Sequence, residues 1–400
     1  MWSCNPAKQI AILVLVFLLL CFQASWSEAQ QVSGVSPAVP DAGKSAGTQN
    51  ADTQTQPPAL QDKSSVGGSQ TGNSANVPSI PGGTVRVLKE GEKLPQREDP
   101  DYENWGRPEL TPGMRMEAMP MGTAIGDGFT REFWRVQWRE MDPIDLWVIK
   151  PAGAESPPVV LYLYSYDGSN ERYRNDDFCK LLTRDGFAAV GFVSALTEQR
   201  FHDRPQIETF VSQLQESLGT TTHDVQMILN FLEKRGDMDM NRVGMWADGS
   251  GAGIAIMASA VDPRIKVLDL LDPWGDWPDW IAKSSLVQAD PKARYRNPNF
   301  LSQVANLDPL QYFPKVKAQK VRLQYIQEGI SVTPATVMEK MEAAAPSNTE
   351  IVHYENTKTY LSDIAAKGIG FNWIKTNVST SNLQNGTTKA RLGGKASQSQ

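Results

Sequence analysis

Acid-base chemistry near neutral pH draws on imidazole first, and this chain of 400 residues has three histidines: His202, His223 and His353. With only three cysteines beside them, at Cys4, Cys21 and Cys179, no Cys/His zinc framework is possible, and no phosphate loop, HExxH or EF-hand pattern occurs. No metal and no cofactor is expected. Two stretches hold the side chains with which an imidazole could work. Arg242–Gly253 reads RVGMWADGSGAG and sets Asp248 and Ser250 among glycines. A serine hydroxyl attacks only when a base takes its proton, so Ser250 needs a histidine within reach. Asp272–Trp280 reads DPWGDWPDW and spaces Trp274, Trp277 and Trp280 three apart, alternating with Asp276 and Asp279. Stacked indoles with carboxylates suit a pocket for a sugar, an aromatic or a cationic group. They equally suit the packing of an inserted segment onto a sheet.

The elements that must position these residues follow from apolar periodicity. Phe129–Trp138 and Ile144–Ile149 predict an antiparallel pair, and the unbroken apolar run Pro158–Tyr164 predicts a strand buried on both faces. An amphipathic helix from Asp176 ends at Gly186 and leads to a strand at Phe187–Val193. Thr222–Arg235 has helical spacing with Thr222 as its cap, which puts His223 at the helix opening in a capping or surface role. Arg242–Trp246 is a strand that turns at the glycines into a helix through Ala260; Val267–Leu271, Val321–Ile326 and Glu350–Tyr354 are further strands. Alternating strand and helix predicts a mostly parallel sheet with helices on both faces. His353 then lies inside a strand, and His202 in a loop after one.

The strand–turn–helix at Arg242–Gly253, the order of elements and the DPRI that follows the helix resemble the α/β-hydrolase fold, particularly its dienelactone-hydrolase and esterase-like branch, over about residues 129–375. The resemblance implies a nucleophile elbow of the form small, any, nucleophile, any, small. Alignment on Arg242 makes Ala247 and Gly251 the small positions and leaves Gly249, without a side chain, as the nucleophile. A shift by one gives Ser250, with Ala252 small and Asp248 bulky; a second shift gives Asp248, beside Trp246. Ser250 is the preferred candidate. The resemblance further implies an acid: the usual Asp position holds Ile330 with Glu328 nearby, and Asp272, at the end of the preceding strand where relatives can carry the acid instead, is preferred. It implies a histidine near Lys358 or Thr359, where neither residue serves, leaving His353, or His202, as base. A backbone amide near Tyr166 is the expected oxyanion donor, and residues 272–316 form a small cap insertion carrying Trp274, Trp277 and Trp280 toward the substrate.

The flanks read differently. Lys8 precedes an apolar run from Ile10 to Phe22, shorter than the about 20 residues of a membrane span, with Ser27 and Ala29 placed for signal cleavage. Leu20 before Cys21 argues against lipidation. Residues 1–29 are thus expected to be a signal peptide, 30–95 a disordered spacer rich in Ser, Gly, Gln and Pro, 96–376 the folded domain and 377–400 a disordered tail. The net charge of -6 excludes a nucleic-acid footprint. The expectation is an exported α/β-hydrolase-like protein acting on a small ester or amide, without a membrane span after cleavage, or a non-catalytic relative that uses the same fold for binding or scaffolding.

Overall fold

The computed structural model describes residues 105–139, 142–166, 168–197, 200, 211–287, 289–328, 333–366 and 371–380. The expected signal peptide and spacer, His202, Ile330 and most of the expected tail lie outside them. In chain order the elements are β1 (Glu117–Gly126), β2 (Phe129–Gln137), β3 (Ile144–Pro151), β4 (Pro158–Leu163), α1 (Asp176–Thr183), β5 (Ala188–Phe192), α2 (Leu214–Arg235), β6 (Asp239–Asp248), α3 (Gly249–Val261) and β7 (Ile265–Leu271). Then come α4 (Trp277–Lys283), α5 (Ala289–Tyr295), α6 (Pro298–Val304), α7 (Pro309–Tyr312), β8 (Lys320–Glu328), α8 (Ala335–Ala344), β9 (Thr349–Asn356), α9 (Thr357–Ala366) and α10 (Asn372–Thr380).

The strands form one nine-stranded sheet in the order β1-β2-β3-β5-β4-β6-β7-β8-β9. Pairings from β1 through β3 to β5 are antiparallel, and all others are parallel. Every residue of β4 (PVVLYL) and β5 (AAVGF) is buried, as central parallel strands require when helices cover both faces. Alternate residues of β4 feed two cores. Val159, Leu161 and Leu163 join α2, α3 and the tryptophans of the 272–316 segment; Val160 and Tyr162 join α1, α9 and α10. Helix α3, GSGAGIAIMASAV, is apolar on all sides, which is why it lies wholly inside the first core.

Three sequence expectations change. Helix α2 begins at Leu214, so Thr222 is interior and donates from Oγ1 to Leu218 O at 2.7 Å instead of capping a terminus. His223 is accordingly fully buried, its Nε2 2.9 Å from Arg107 O, and is neither a surface nor a capping residue. The folded domain also runs past 376. Val378 of α10 is fully buried against Gly244 of β6, where a Cβ would come within 2.6 Å of Val378 Cγ2. Burying one such valine contributes about 1.5–3 kcal/mol, enough to hold the last helical turn in the domain.

Candidate active site

Strand β6 passes into α3 without a loop. Asp248 is at once the last residue of the strand and the N-cap of the helix, with extended backbone (φ -127, ψ 155). Its carboxylate at a helix N-terminus is favourably placed in the field of the peptide dipoles. The sharp bend falls on the next residue: Gly249 has φ +53, in the left-handed region that glycine enters without steric cost. The glycines that follow are required by close approach. A Cβ at Gly251 would stand 2.5 Å from Leu163 O and 2.9 Å from Tyr164 O, and one at Gly253 would stand 2.7 Å from Trp274 O. The helix can therefore cross the ends of β4 and the 272–276 turn only with hydrogen at both positions.

The left-handed bend selects among the three alignments of the elbow. It sits at Gly249, so the residue of the bend that faces the C-terminal edge of the sheet has no side chain. The space a Cβ would take there is filled by Ser165 from the loop after β4: its Oγ overlaps the position, its Cβ lies 2.8 Å away and Trp274 Nε1 3.3 Å away. Ser250, the preferred nucleophile from sequence, is the residue after the bend and the second of α3. Its side chain is fully buried, and its Oγ accepts the Tyr166 amide at 2.7 Å. The reason is one step of register, because a residue after the bend begins the helix and turns inward.

The amides at this corner are engaged by hydroxyls and carboxylate of the protein itself. Ser250 N donates to Ser165 Oγ at 3.4 Å, Ser165 N donates to Asp248 Oδ1 at 2.6 Å, and Tyr166 N, the expected oxyanion donor, donates to Ser250 Oγ. Gly168 N closes the loop by donating to Ser165 O at 2.8 Å. Trp274 N donates to Gly249 O at 3.1 Å, tying the following segment to the bend.

Asp272, the expected acid, lies at the C-terminal edge of the sheet. Leu271 pairs with Asp248, so Asp272 emerges beside the elbow, itself left-handed at φ +46. Its carboxylate accepts Ile326 N at 3.1 Å, its amide donates to Gln324 O at 2.8 Å and its carbonyl accepts Thr333 Oγ1 at 3.0 Å, which ties β7 to β8. Glu328, the alternative acid, is exposed at the end of β8 opposite Asn356. His353 does not join them. It pairs with Tyr325 on β9, three strands from β6 and thus about 14 Å across the sheet. Its Nε2 is 3.1 Å from Glu342 Oε1 of α8, and its ring lies 5.7 Å from that of Tyr325. The other described histidine, His223, is held in α2 at Arg107 O.

Residues 272–316 carry α4 to α7 between β7 and β8. Trp274, Trp277 and Trp280, expected to face a substrate, are 3%, 1% and 0% exposed. Trp274 packs on Trp280 at 4.5 Å, Trp277 meets Trp280 edge-on at 5.9 Å, and Trp277 Nε1 donates to Leu307 O at 2.9 Å. The indoles belong to the core that the segment shares with β4, α2 and α3. Beneath them Asp308 accepts the amides of Asp276, Trp277 and Leu310, and burial still raises its pKa above the ordinary carboxylate value. At the rim, Lys340 of α8 pairs with Asp276 and, at 2.9 Å, with Asp279, whose pKa this hydrogen bond lowers. Among the described residues no group of His, Cys, Asp and Glu is arranged to hold a metal ion, and no helix is long and apolar enough to cross a membrane.

Sequence reasoning missed Ser165. It lies in the loop singled out for its amides, but nothing in YSYDG tells that the serine side chain turns back into the bend.

No family model matches the chain, and no curated protein matches it by sequence. Solved structures do. Acetyl xylan esterase 1 from Thermoanaerobacterium sp. JW/SL YS485 superposes with a TM-score of 0.50 at 13% identity, covering 67% of this chain and 92% of that one. An acetyl xylan esterase from Paenibacillus sp. R4 gives 0.47 at 14% identity, over 66% and 91%. A cold-adapted esterase from an Arctic intertidal metagenomic library gives 0.44 at 15%, over 64% and 96%. At such identities the likeness speaks for the fold alone. The likeness to the Thermoanaerobacterium structure, together with the strand order and the strand–bend–helix of β6 and α3, gives the domain an α/β-hydrolase fold.

Proposed function

We propose that this domain is a non-catalytic hydrolase-fold protein that serves as a binding or scaffolding module. The observation that carries the proposal is Gly249: the residue in the left-handed bend has no side chain, and Ser165 fills the volume where a nucleophile would project. Two further facts agree. The amides of Ser250 and Tyr166, where an oxyanion would be held, already donate to internal hydroxyls. An oxyanion hole works only when preorganised donors face the position where charge develops. The expected base His353 is held by Glu342 on another part of the sheet.

A second reading, hydrolysis of a small ester or amide, draws on one observation: two hydroxyls, Ser165 Oγ and Ser250 Oγ, stand at the bend. Labelling of the full chain with a fluorophosphonate, followed by peptide mapping, separates the two. We expect no adduct and no turnover of a p-nitrophenyl ester above the rate in buffer. An adduct mapped to Ser165 or Ser250, lost in the corresponding alanine variant together with turnover, overturns the non-catalytic reading. Export forms part of the same proposal and rests on the apolar run Ile10–Phe22 with Ser27 and Ala29 behind it. N-terminal sequencing of chain recovered from outside the cytoplasm tests it, with a start near Gln30 expected and an intact Met1 or Trp2 contrary to it.

A further inference from the structure

We infer that β1 is a self-association edge, on which a second copy of this chain adds its own β1 antiparallel to extend the sheet. Nine of the ten residues of β1 are exposed, so the strand projects past the helices that cover the rest of the sheet. Of the four large apolar residues exposed among the described residues, three lie on this strand: Met119 at 62%, Met121 at 44% and Ile125 at 88%. Edge strands are normally guarded by charge, by proline or by a bulge; β1 (EAMPMGTAIG) carries one charge, Glu117, and its Pro120 and bulge sit together at mid-strand, leaving both halves open.

The bulge in β1 decides which partner fits. Pairing with β2 shifts register between Pro120 and Gly122, so Met121 has no partner residue. Cross-strand partners share a face. Glu117, Met119, Gly122, Ala124 and Gly126 therefore lie on the side of Arg131 and Phe133, while Ala118, Pro120, Thr123 and Ile125 lie on the side of Trp134. In an unbulged ten-residue strand, full antiparallel overlap with an identical copy would match residues from opposite faces. Here the bulge reverses the alternation midway, and full overlap matches like with like. Ile125 falls opposite Ala118 of the second copy, Met119 opposite Ala124, and Glu117 opposite Gly126. Each large side chain meets a small one, and no like charges meet. Pro120, which lacks a donor, stays at the centre, between two symmetric three-pair ladders. A second copy of β1 is thus the occupant that this strand's own pattern accommodates.

Sedimentation of the full chain from about 1 to 100 μM, the span in which modest interfaces assemble, is expected to show a reversible monomer–dimer equilibrium. Ile125→Lys and Met119→Lys change exposed side chains and should leave the circular dichroism and melting temperature unaltered while weakening the dimer at least about tenfold. Ile351→Lys, on the opposite edge strand β9, should leave it intact. Paired substitution Met119→Cys with Ala124→Cys should give an interchain disulfide under mild oxidation, and Met119→Cys with Thr123→Cys should not. A chain that stays monomeric throughout, or a dimer that survives both lysine variants but not Ile351→Lys, or a dimer that fails to cross-link in the first pair, overturns the inference.

Discussion

Returning a hydroxyl to the elbow measures how completely that corner is closed. Gly249→Ser places a Cβ at φ +53 and within 2.8 Å of Ser165 Cβ. A non-glycine residue held in the left-handed region costs about 1–2 kcal/mol. Forcing an extra heavy atom into an occupied site costs about 1–3 kcal/mol more. The single variant should therefore lose roughly 2–5 kcal/mol in urea unfolding at an unchanged m-value. Ser165→Gly removes the obstructing side chain, so the two substitutions should couple. In a double-mutant cycle the paired variant should recover about 1–3 kcal/mol relative to the sum of the singles, which leaves only the backbone cost. Fluorophosphonate labelling of the paired variant reports whether the restored hydroxyl has found a base, and we expect none. Additive losses, with no recovery in the pair, would mean that Ser165 does not occupy the nucleophile's volume, and the argument for a closed elbow would fail with it.

Two other perturbations test how the scaffold is held. Lys375 of α10 is buried, donates to Leu181 O at 3.0 Å and Arg184 O at 2.9 Å, and has its pKa lowered by burial from 10.5 to about 8. Between these two values the unfolded chain binds the proton that the folded chain has released, so stability rises with pH across this window, on the order of 3 kcal/mol in all. Urea unfolding at pH 7.5 and at about pH 10 should show that rise diminished in Lys375→Met, and an equal rise in both proteins would refute the assignment. Arg200, fully buried, bonds Asp142 twice at 2.7 Å and pairs with Asp224 at 2.9 Å, while burial still raises the pKa of Asp224. Arg200→Met leaves the buried Asp224 without its guanidinium, while Asp142 keeps Arg139 at 2.8 Å, and should cost about 3–5 kcal/mol by thermal melting; a melting temperature within a degree or so of the wild type would count against it.

The central sheet was legible because its strands are apolar enough to be nothing else: PVVLYL and AAVGF cannot sit at a surface. Strand β1 was not, since EAMPMGTAIG has no buried face from which to read an alternation, and its proline and glycines look like loop. The first two turns of α2 were lost for a related reason. Gly219 and the threonines after it resemble a helix start, but Gly219 is there because a Cβ would collide with Trp105 O, and Thr221 and Thr222 turn their hydroxyls back onto their own helix. At the candidate site the elbow was visible in RVGMWADGSGAG while its register was not. Which of three adjacent residues takes the left-handed conformation depends on where α3 must start to pass the ends of β4 and the 272–276 turn, and sequence spacing does not encode that. The three tryptophans posed the same difficulty, because indoles lining a pocket and indoles filling a core have identical spacing.

A working oxyanion hole holds amide donors toward a position that stays without an acceptor until substrate arrives, and each such buried donor costs roughly 1–3 kcal/mol in the resting protein. In this chain Ser250 N and Tyr166 N have acceptors at rest, and the acceptors are side chains of the same corner. A substrate carbonyl entering there would have to displace both hydroxyls, exchanging two hydrogen bonds for two others with little net gain. Asp248 adds to the closure by holding the Ser165 amide, so the loop that carries Ser165 cannot swing out without breaking its tie to the residue that opens α3. Glycine at 249 and serine at 165 are consequently matched to one another: a side chain at the first position would exclude the second. The strand, the bend and the helix belong to the packing core, and the polar groups at the bend tie the loop after β4 to α3, which on the non-catalytic reading proposed above exchanges open donors for stability.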